Sequence, residues 1–130
     1  MNNYTGGSNT AIGFNALYSN TIGHLNTATG FDALYSNLNG YSNTAIEVKA
    51  LSYNTLGASN TAIGGVALNY NTTGFNNTAT GDSALYLNET GSYNTANGAD
   101  ALYFNSGGNS PPVWLGQAFS RTIRSSVTIK

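Results

Sequence analysis

Ser8-Asn9-Thr10-Ala11-Ile12-Gly13-Phe14-Asn15-Ala16-Leu17-Tyr18-Ser19-Asn20-Thr21-Ile22-Gly23-His24-Leu25 is followed at Asn26 by a second copy of the same text. Asn-Thr-Ala falls at 9, 26, 43, 60, 77 and 94, a spacing of 17 residues without slippage. Ala-Leu falls at 16, 33, 50, 67, 84 and 101, and a second Asn at 20, 37, 54, 71, 88 and 105. Gly falls at 23, 40, 57, 74, 91 and 108. A fixed short period is the signature of a solenoid, in which each unit buries its apolar face on its neighbours. Seventeen residues are too few for a helix pair, which takes about 33. Glycine at two places per unit also opposes helix at about 1 kcal/mol each. The short segments between glycines carry Thr, Ile, Tyr and Phe and read as short strands joined by turns. The fold expected is all-β: a parallel β-solenoid of six 17-residue coils over residues 1–108, with residues 109–130 as a separate C-terminal extension. Residues 1–8 supply a partial first coil.

Within a coil, alternation sends Ala11 and its equivalents inward and Thr10 and Ile12 outward. Ala16 and Leu17 are equally invariant and are expected at or near a second strand, one of them filling the interior. Adjacent residues of a regular strand cannot both point inward, so a bend or bulge is expected there. Asn20-x-x-Gly23 reads as a turn, with Gly accepting positive φ. The amides of Asn20, Asn37, Asn54, Asn71, Asn88 and Asn105 are expected to bond from coil to coil as a ladder. The residues that vary between coils, such as Tyr18, Tyr35, Ser52, Asn69, Tyr86 and Tyr103, are expected at the surface. In the third coil Glu47 replaces a glycine, and Lys49 two residues on would make with it an exposed pair worth little.

The period ends near Gly108, where Pro111-Pro112 marks a boundary. Residues 1–108 carry Lys49 against five acids, whereas Arg121, Arg124 and Lys130 all fall in the extension. Val113-Trp114-Leu115 and Val127-Thr128-Ile129 read as short strands of a cap or of an inter-subunit contact.

Only 7% of residues are charged, against about a quarter in ordinary domains. No basic patch is present to neutralise phosphates, which argues against nucleic-acid binding. No apolar run is long enough to span a membrane, and no signal peptide is visible. Cysteine is absent, which excludes a disulfide scaffold and thiolate-ligated zinc.

The run Ser8-Asn9-Thr10-Ala11-Ile12-Gly13 with a second glycine at 23 resembles the head repeats of trimeric autotransporter adhesins. It is also similar to Asn-Thr-Ala-Ile-Gly repeats with Ala-Leu-Tyr-Ser-Asn in phage tail-fibre-like proteins. The resemblance covers residues 3–108. It implies a left-handed β-roll, three chains side by side and a role in surface attachment, with Ala11 inside and Thr10 and Ile12 towards the trimer axis. The coil of 17 residues is longer than the family's, and the outward stripe is half polar through Thr29, Thr80 and Asn97.

Catalysis is not expected. His24 is the single histidine, and the other coils place Tyr41, Ala58, Phe75, Ser92 and Asn109 in its register. Asp32, Glu47, Asp82, Glu89 and Asp100 are too scattered for paired acid/base work, and no Asp recurs per repeat as calcium would require. No cofactor or metal is expected. Two surface series remain. Thr10, Ile12, Thr27, Thr44, Ile46, Thr61 and Ile63 form a candidate oligomer or ligand face, and a flat threonine row is also what an ice-binding face requires. Tyr18, Tyr35, Tyr86 and Tyr103 are candidates for stacking on sugar rings. Asn3, Asn71, Asn76 and Asn88 head Asn-x-Ser/Thr sequons. The function expected is that of a non-enzymatic segment of a fibre or adhesin, extracellular, at a cell surface or on a virion. Its partners would be further copies of itself, as homotrimer or filament, and a cell-surface glycan. The alternatives are an end-to-end filament subunit and a monomeric ice- or glycan-binding solenoid.

Overall fold

The computed structural model describes residues 5–105 and 113–115. Each coil contributes one three-residue strand: β1 Thr10–Ile12, β2 Thr27–Thr29, β3 Thr44–Ile46, β4 Thr61–Ile63, β5 Thr78–Thr80 and β6 Thr95–Asn97. They pair in parallel and in strict sequence order, with Thr10 opposite Thr27, Ala11 opposite Ala28 and Ile12 opposite Thr29, and so on up the sheet. A seventh strand, β7 Val113–Leu115, continues the sheet beyond β6 in parallel, with Thr95 opposite Val113. The molecule is therefore an all-β parallel solenoid whose repeat is the 17-residue period. The strand expected at 127–129 lies outside the described residues.

The sheet has one face in and one out, as alternation dictates. Ala28, Ala45, Ala62, Ala79 and Ala96 are fully buried, while the flanking Thr and Ile/Thr positions are half-buried or exposed. A narrow interior explains the restriction to alanine, because an extra methylene in a close-packed core forces backbone shifts.

The expected second strand is absent among the described residues. Residues 14–19 and their equivalents are turns, and both Ala and Leu of the invariant pair are buried, as at Ala33 and Leu34 or Ala50 and Leu51. The bend that allows this is a left-handed residue at the leucine: φ is 52° at Leu17, 50° at Leu34 and 51° at Leu51. An extended chain would turn alternate residues outward, whereas the left-handed step returns the next side chain to the same side. The position two residues earlier is left-handed as well, at Asn15, Asp32, Lys49, Val66, Ser83 and Asp100. Non-glycine residues there cost about 1–2 kcal/mol each, offset by burying a leucine per coil, worth about 1.5–3 kcal/mol. Coil-to-coil bonds persist through this turn region, as in Leu17 N–H donating to the Ala33 carbonyl at 3.0 Å and Ser19 N–H to that of Tyr35 at 3.0 Å.

The two glycine series have different reasons. Gly13, Gly30, Gly64, Gly81 and Gly98 have positive φ, from 125° to 136°. The Gly23 series does not, contrary to the turn expectation. A Cβ on Gly40 would strike the Asn37 side-chain oxygen and the carbonyl of Gly57 in the next coil. Space, not dihedral freedom, keeps glycine there.

Candidate functional site

The first question for the surface is which invariant residues are already occupied by the stacking of coils. Asn37 Nδ2 donates to Asn20 Oδ1 at 2.8 Å, Asn54 to Asn37 at 2.8 Å, Asn71 to Asn54 at 2.9 Å, Asn88 to Asn71 at 3.0 Å and Asn105 to Asn88 at 2.9 Å. From Asn20 to Asn88 each of these amides also donates within its own coil, as from Asn54 to the Gly57 carbonyl at 3.0 Å. A second ladder went unread in the sequence. Asn43 Oδ1 accepts the backbone N–H of Asn60 at 3.0 Å and its Nδ2 at 3.1 Å, and Asn43 Nδ2 donates to the Gly57 carbonyl at 2.8 Å. The same pattern recurs at Asn26, Asn60 and Asn77. Both ladders thus converge on one glycine carbonyl per coil, filling its two lone pairs. The signal for the second ladder was its invariance, which equals that of the first. Asn71 and Asn88 are fully buried members of the first ladder, so those sequons are not surface features. Asn76 is exposed.

The invariant Asn, Ala and Leu residues are therefore committed to the stacking of coils, which leaves the outer face of the sheet and the variable positions as the candidate surfaces. Thr10, Ile12 and Ile63 are exposed, and Thr27, Thr44, Ile46 and Thr61 half-buried, all on the outer face of the sheet. Threonine aligns with threonine from β1 to β6, spaced by one strand separation of about 4.8 Å.

The tyrosines form a strip that differs from the single series read in the sequence. Tyr18 and Tyr35 stack with centroids 5.3 Å apart and planes 4° apart. Their register then passes to Ser52 and Asn69, which are buried. In those two coils the tyrosine moves one residue along, to Tyr53 and Tyr70, stacked at 4.9 Å. Tyr70 meets Tyr86 edge-on at 5.1 Å, and Tyr86 stacks on Tyr103 at 4.8 Å, back in the first column. Every coil thus contributes a tyrosine from one of two adjacent positions. Burial, first, and a hydrogen bond with the Tyr70 side chain, second, raise the pKa of the Tyr86 phenol above its ordinary value of 10.0.

The change of column leaves a trough of about 280 Å³. The buried Ser52 and Asn69 form its base, and Tyr35, Tyr53, Tyr70 and Tyr86 line it with Lys49, Val66, Asp32 and Ser36. Asn69 Nδ2 donates to the Lys49 carbonyl at 2.7 Å, and Asp32 Oδ1 accepts from Asn15 Nδ2 at 3.1 Å.

A second concavity, of about 360 Å³, lies where Ala58 interrupts a row of rings. Tyr41, Leu56, Thr73 and Phe75 line it with Ser59 and Asn76. His24, in the same row, stacks on Tyr41 at 5.2 Å and is exposed. The scattered carboxylates do not converge: among the described residues no group of three or more His, Cys, Asp or Glu could hold a metal ion. No helix of the described residues is long and apolar enough to cross a membrane. Compared with protein-family models, with curated proteins and with solved structures, the chain has no significant match.

Proposed function

We propose that the protein is a non-enzymatic rod segment of a surface fibre or adhesin, which builds length by stacking coils and carries variable side chains for attachment. The observation behind this reading is the division of labour within the repeat. Asn20, Asn9, Ala11, Ala16, Leu17 and Gly23, with their equivalents, serve stacking, while large side chains that differ between coils, such as Phe14, Tyr18, Tyr53 and Phe75, are exposed. Six coils at about 4.8 Å each give a rod of about 29 Å, stiffened by two amide ladders with few charges. An extracellular, cell-surface or virion setting fits a module of this kind.

Self-association is part of the proposal. The outer face of the sheet, with Ile12, Ile46 and Ile63 among threonines, is the surface by which three chains would pack. Measurement of mass in solution tests it: threefold mass that falls to monomer in the Ile12→Lys and Ile63→Lys variants supports the trimer, and a monomer at all concentrations overturns it. Negative-stain microscopy separates a discrete trimer from an end-to-end filament.

A second reading is favoured by the in-register threonines. A monomer presenting that flat row would bind ice, and thermal hysteresis abolished by Thr44→Lys or Thr61→Lys supports this. Absence of hysteresis in the intact protein ends it.

A further inference from the structure

The trough where the tyrosine strip changes column has the chemistry of a sugar site, and the inference rests on the attachment reading above. Three observations meet there. First, tyrosine rings in a stack cover one another's faces, so most of the strip offers only ring edges. Tyr35 is an exception. Tyr18 lies against one of its faces, with planes 4° apart, and the other is directed to the next coil, where Ser52 stands in the column in place of a ring. Second, the base of the trough is polar and buried. Ser52 is 6% exposed and Asn69 3%. Third, that polarity is unmet. The Ser52 hydroxyl has no hydrogen-bond partner among the described residues, and neither has the Asn69 side-chain oxygen. Buried polar groups are normally paired, so each such atom points to a solvent or ligand partner.

We propose that this trough binds one pyranose unit of a neutral saccharide. The apolar C–H face of the sugar ring lies against half-buried Tyr35 on the side away from Tyr18, an arrangement suited to an aromatic surface with a polar surround. Ring hydroxyls bond to Ser52 Oγ and Asn69 Oδ1, whose unmet capacity a purely aromatic or aliphatic ligand would leave buried and unpaired at a cost. Tyr53 and Tyr70 also line the trough. The volume of about 280 Å³ is the space left beside the Tyr53 and Tyr70 rings, which occupy the two coils between Tyr35 and Tyr86. Asp32 and Lys49 both line the site, so its charges balance and favour a neutral sugar over an anionic one. The Ala58 hollow lacks this buried polar base: its polar lining residues, Ser59, Thr73 and Asn76, are exposed.

The strip itself supplies the decisive variant. Ser52→Tyr places in the third coil the residue that the same column carries as Tyr18, Tyr35, Tyr86 and Tyr103, so it extends the Tyr18–Tyr35 stack and fills the trough without foreign geometry. Saturation-transfer NMR on the full chain, with methyl glucoside, methyl galactoside, N-acetylglucosamine, lactose and cellobiose as probes, reads binding. Titration then gives the fold-change. The expected result is binding of at least one probe, weakened about tenfold or more by Ser52→Tyr and by Tyr35→Leu, and unchanged by Tyr103→Leu at the far end of the strip. Circular dichroism matching the wild type shows that each variant is folded. The proposal is overturned if no probe binds, if binding survives Ser52→Tyr, or if Tyr103→Leu weakens it equally. Binding that survives Ser52→Tyr leaves the attachment reading standing with its site elsewhere, whereas the rod and its assembly are judged by the mass measurement.

Discussion

Asn54→Ala probes the amide ladder at its centre. Asn54 is fully buried and makes three side-chain hydrogen bonds: to Asn37 Oδ1 at 2.8 Å, to the Gly57 carbonyl at 3.0 Å, and from Asn71 Nδ2 at 2.9 Å. Truncation removes all three at once. The Gly57 carbonyl keeps its bond from Asn43 Nδ2 at 2.8 Å, so its loss is small. Asn37 Oδ1 loses the bond that Asn54 donates to it, and one Asn71 N–H loses its acceptor. Leaving a buried polar group unpaired costs about 1–3 kcal/mol, so two such groups cost about 2–6 kcal/mol. Asn105→Ala, at the half-buried end of the ladder, takes from Asn88 Oδ1 the bond that Asn105 donates to it and is expected to cost less, about 1 kcal/mol. Urea denaturation followed by circular dichroism gives both values, and amide exchange at Leu51 and Leu68 shows whether the loss is local. Equal effects at the two positions, or a cost below about 1 kcal/mol at Asn54, refute the ladder as a stabilising element.

Glu47 has a φ of 91° where the neighbouring coils have glycine. Glu47→Gly relieves this and is expected to raise stability by about 1 kcal/mol, read as an increase in the urea midpoint. Gly57→Ala is expected to cost about 1–3 kcal/mol or more, because its Cβ would strike Asn54 Oδ1 and the Gly74 carbonyl; the same assay checks it. The phenol of Tyr86 titrates above its ordinary value in the folded chain. Its contribution is therefore complete below the unfolded value near 10 and is lost as pH rises through the folded value. Stability of the wild type should fall above about pH 10, and Tyr86→Phe should flatten part of that fall, as measured by thermal melts between pH 8 and about 11.

The coil cross-section was largely legible in the text. Alternation in Thr10-Ala11-Ile12 placed the alanine inside, and equal spacing of the asparagines predicted stacked amides. What the text concealed has physical causes. Leu17 has a left-handed φ of 52°, a conformation that local propensity assigns to Gly or Asn, so nothing in the residue type showed how Ala16 and Leu17 could share the interior. The reason for Gly23 is a contact between coils, which a one-dimensional reading cannot see. The Asn9 series was as regular as the Asn20 series, but it stands beside a strand, where a backbone role hides a side-chain one. The trough is not visible in a single column of tyrosines taken at 18, 35, 86 and 103. Ser52 with Tyr53, and Asn69 with Tyr70, are a paired displacement that becomes a site only when the coils are stacked.

The central claim is that the chain is a rod assembled from interchangeable coils, with length its structural product. Deleting residues 71–87 removes one full period and joins Tyr70 to Asn88 in register; deleting 71–86 removes one residue fewer. Small-angle X-ray scattering with circular dichroism measures the outcome. The 17-residue deletion is predicted to stay folded and to shorten the rod by about 4.8 Å, while the 16-residue deletion throws Ala, Leu and Asn out of their columns and unfolds the coils beyond it. Unfolding of the in-register variant, or equal tolerance of both, would contradict the account.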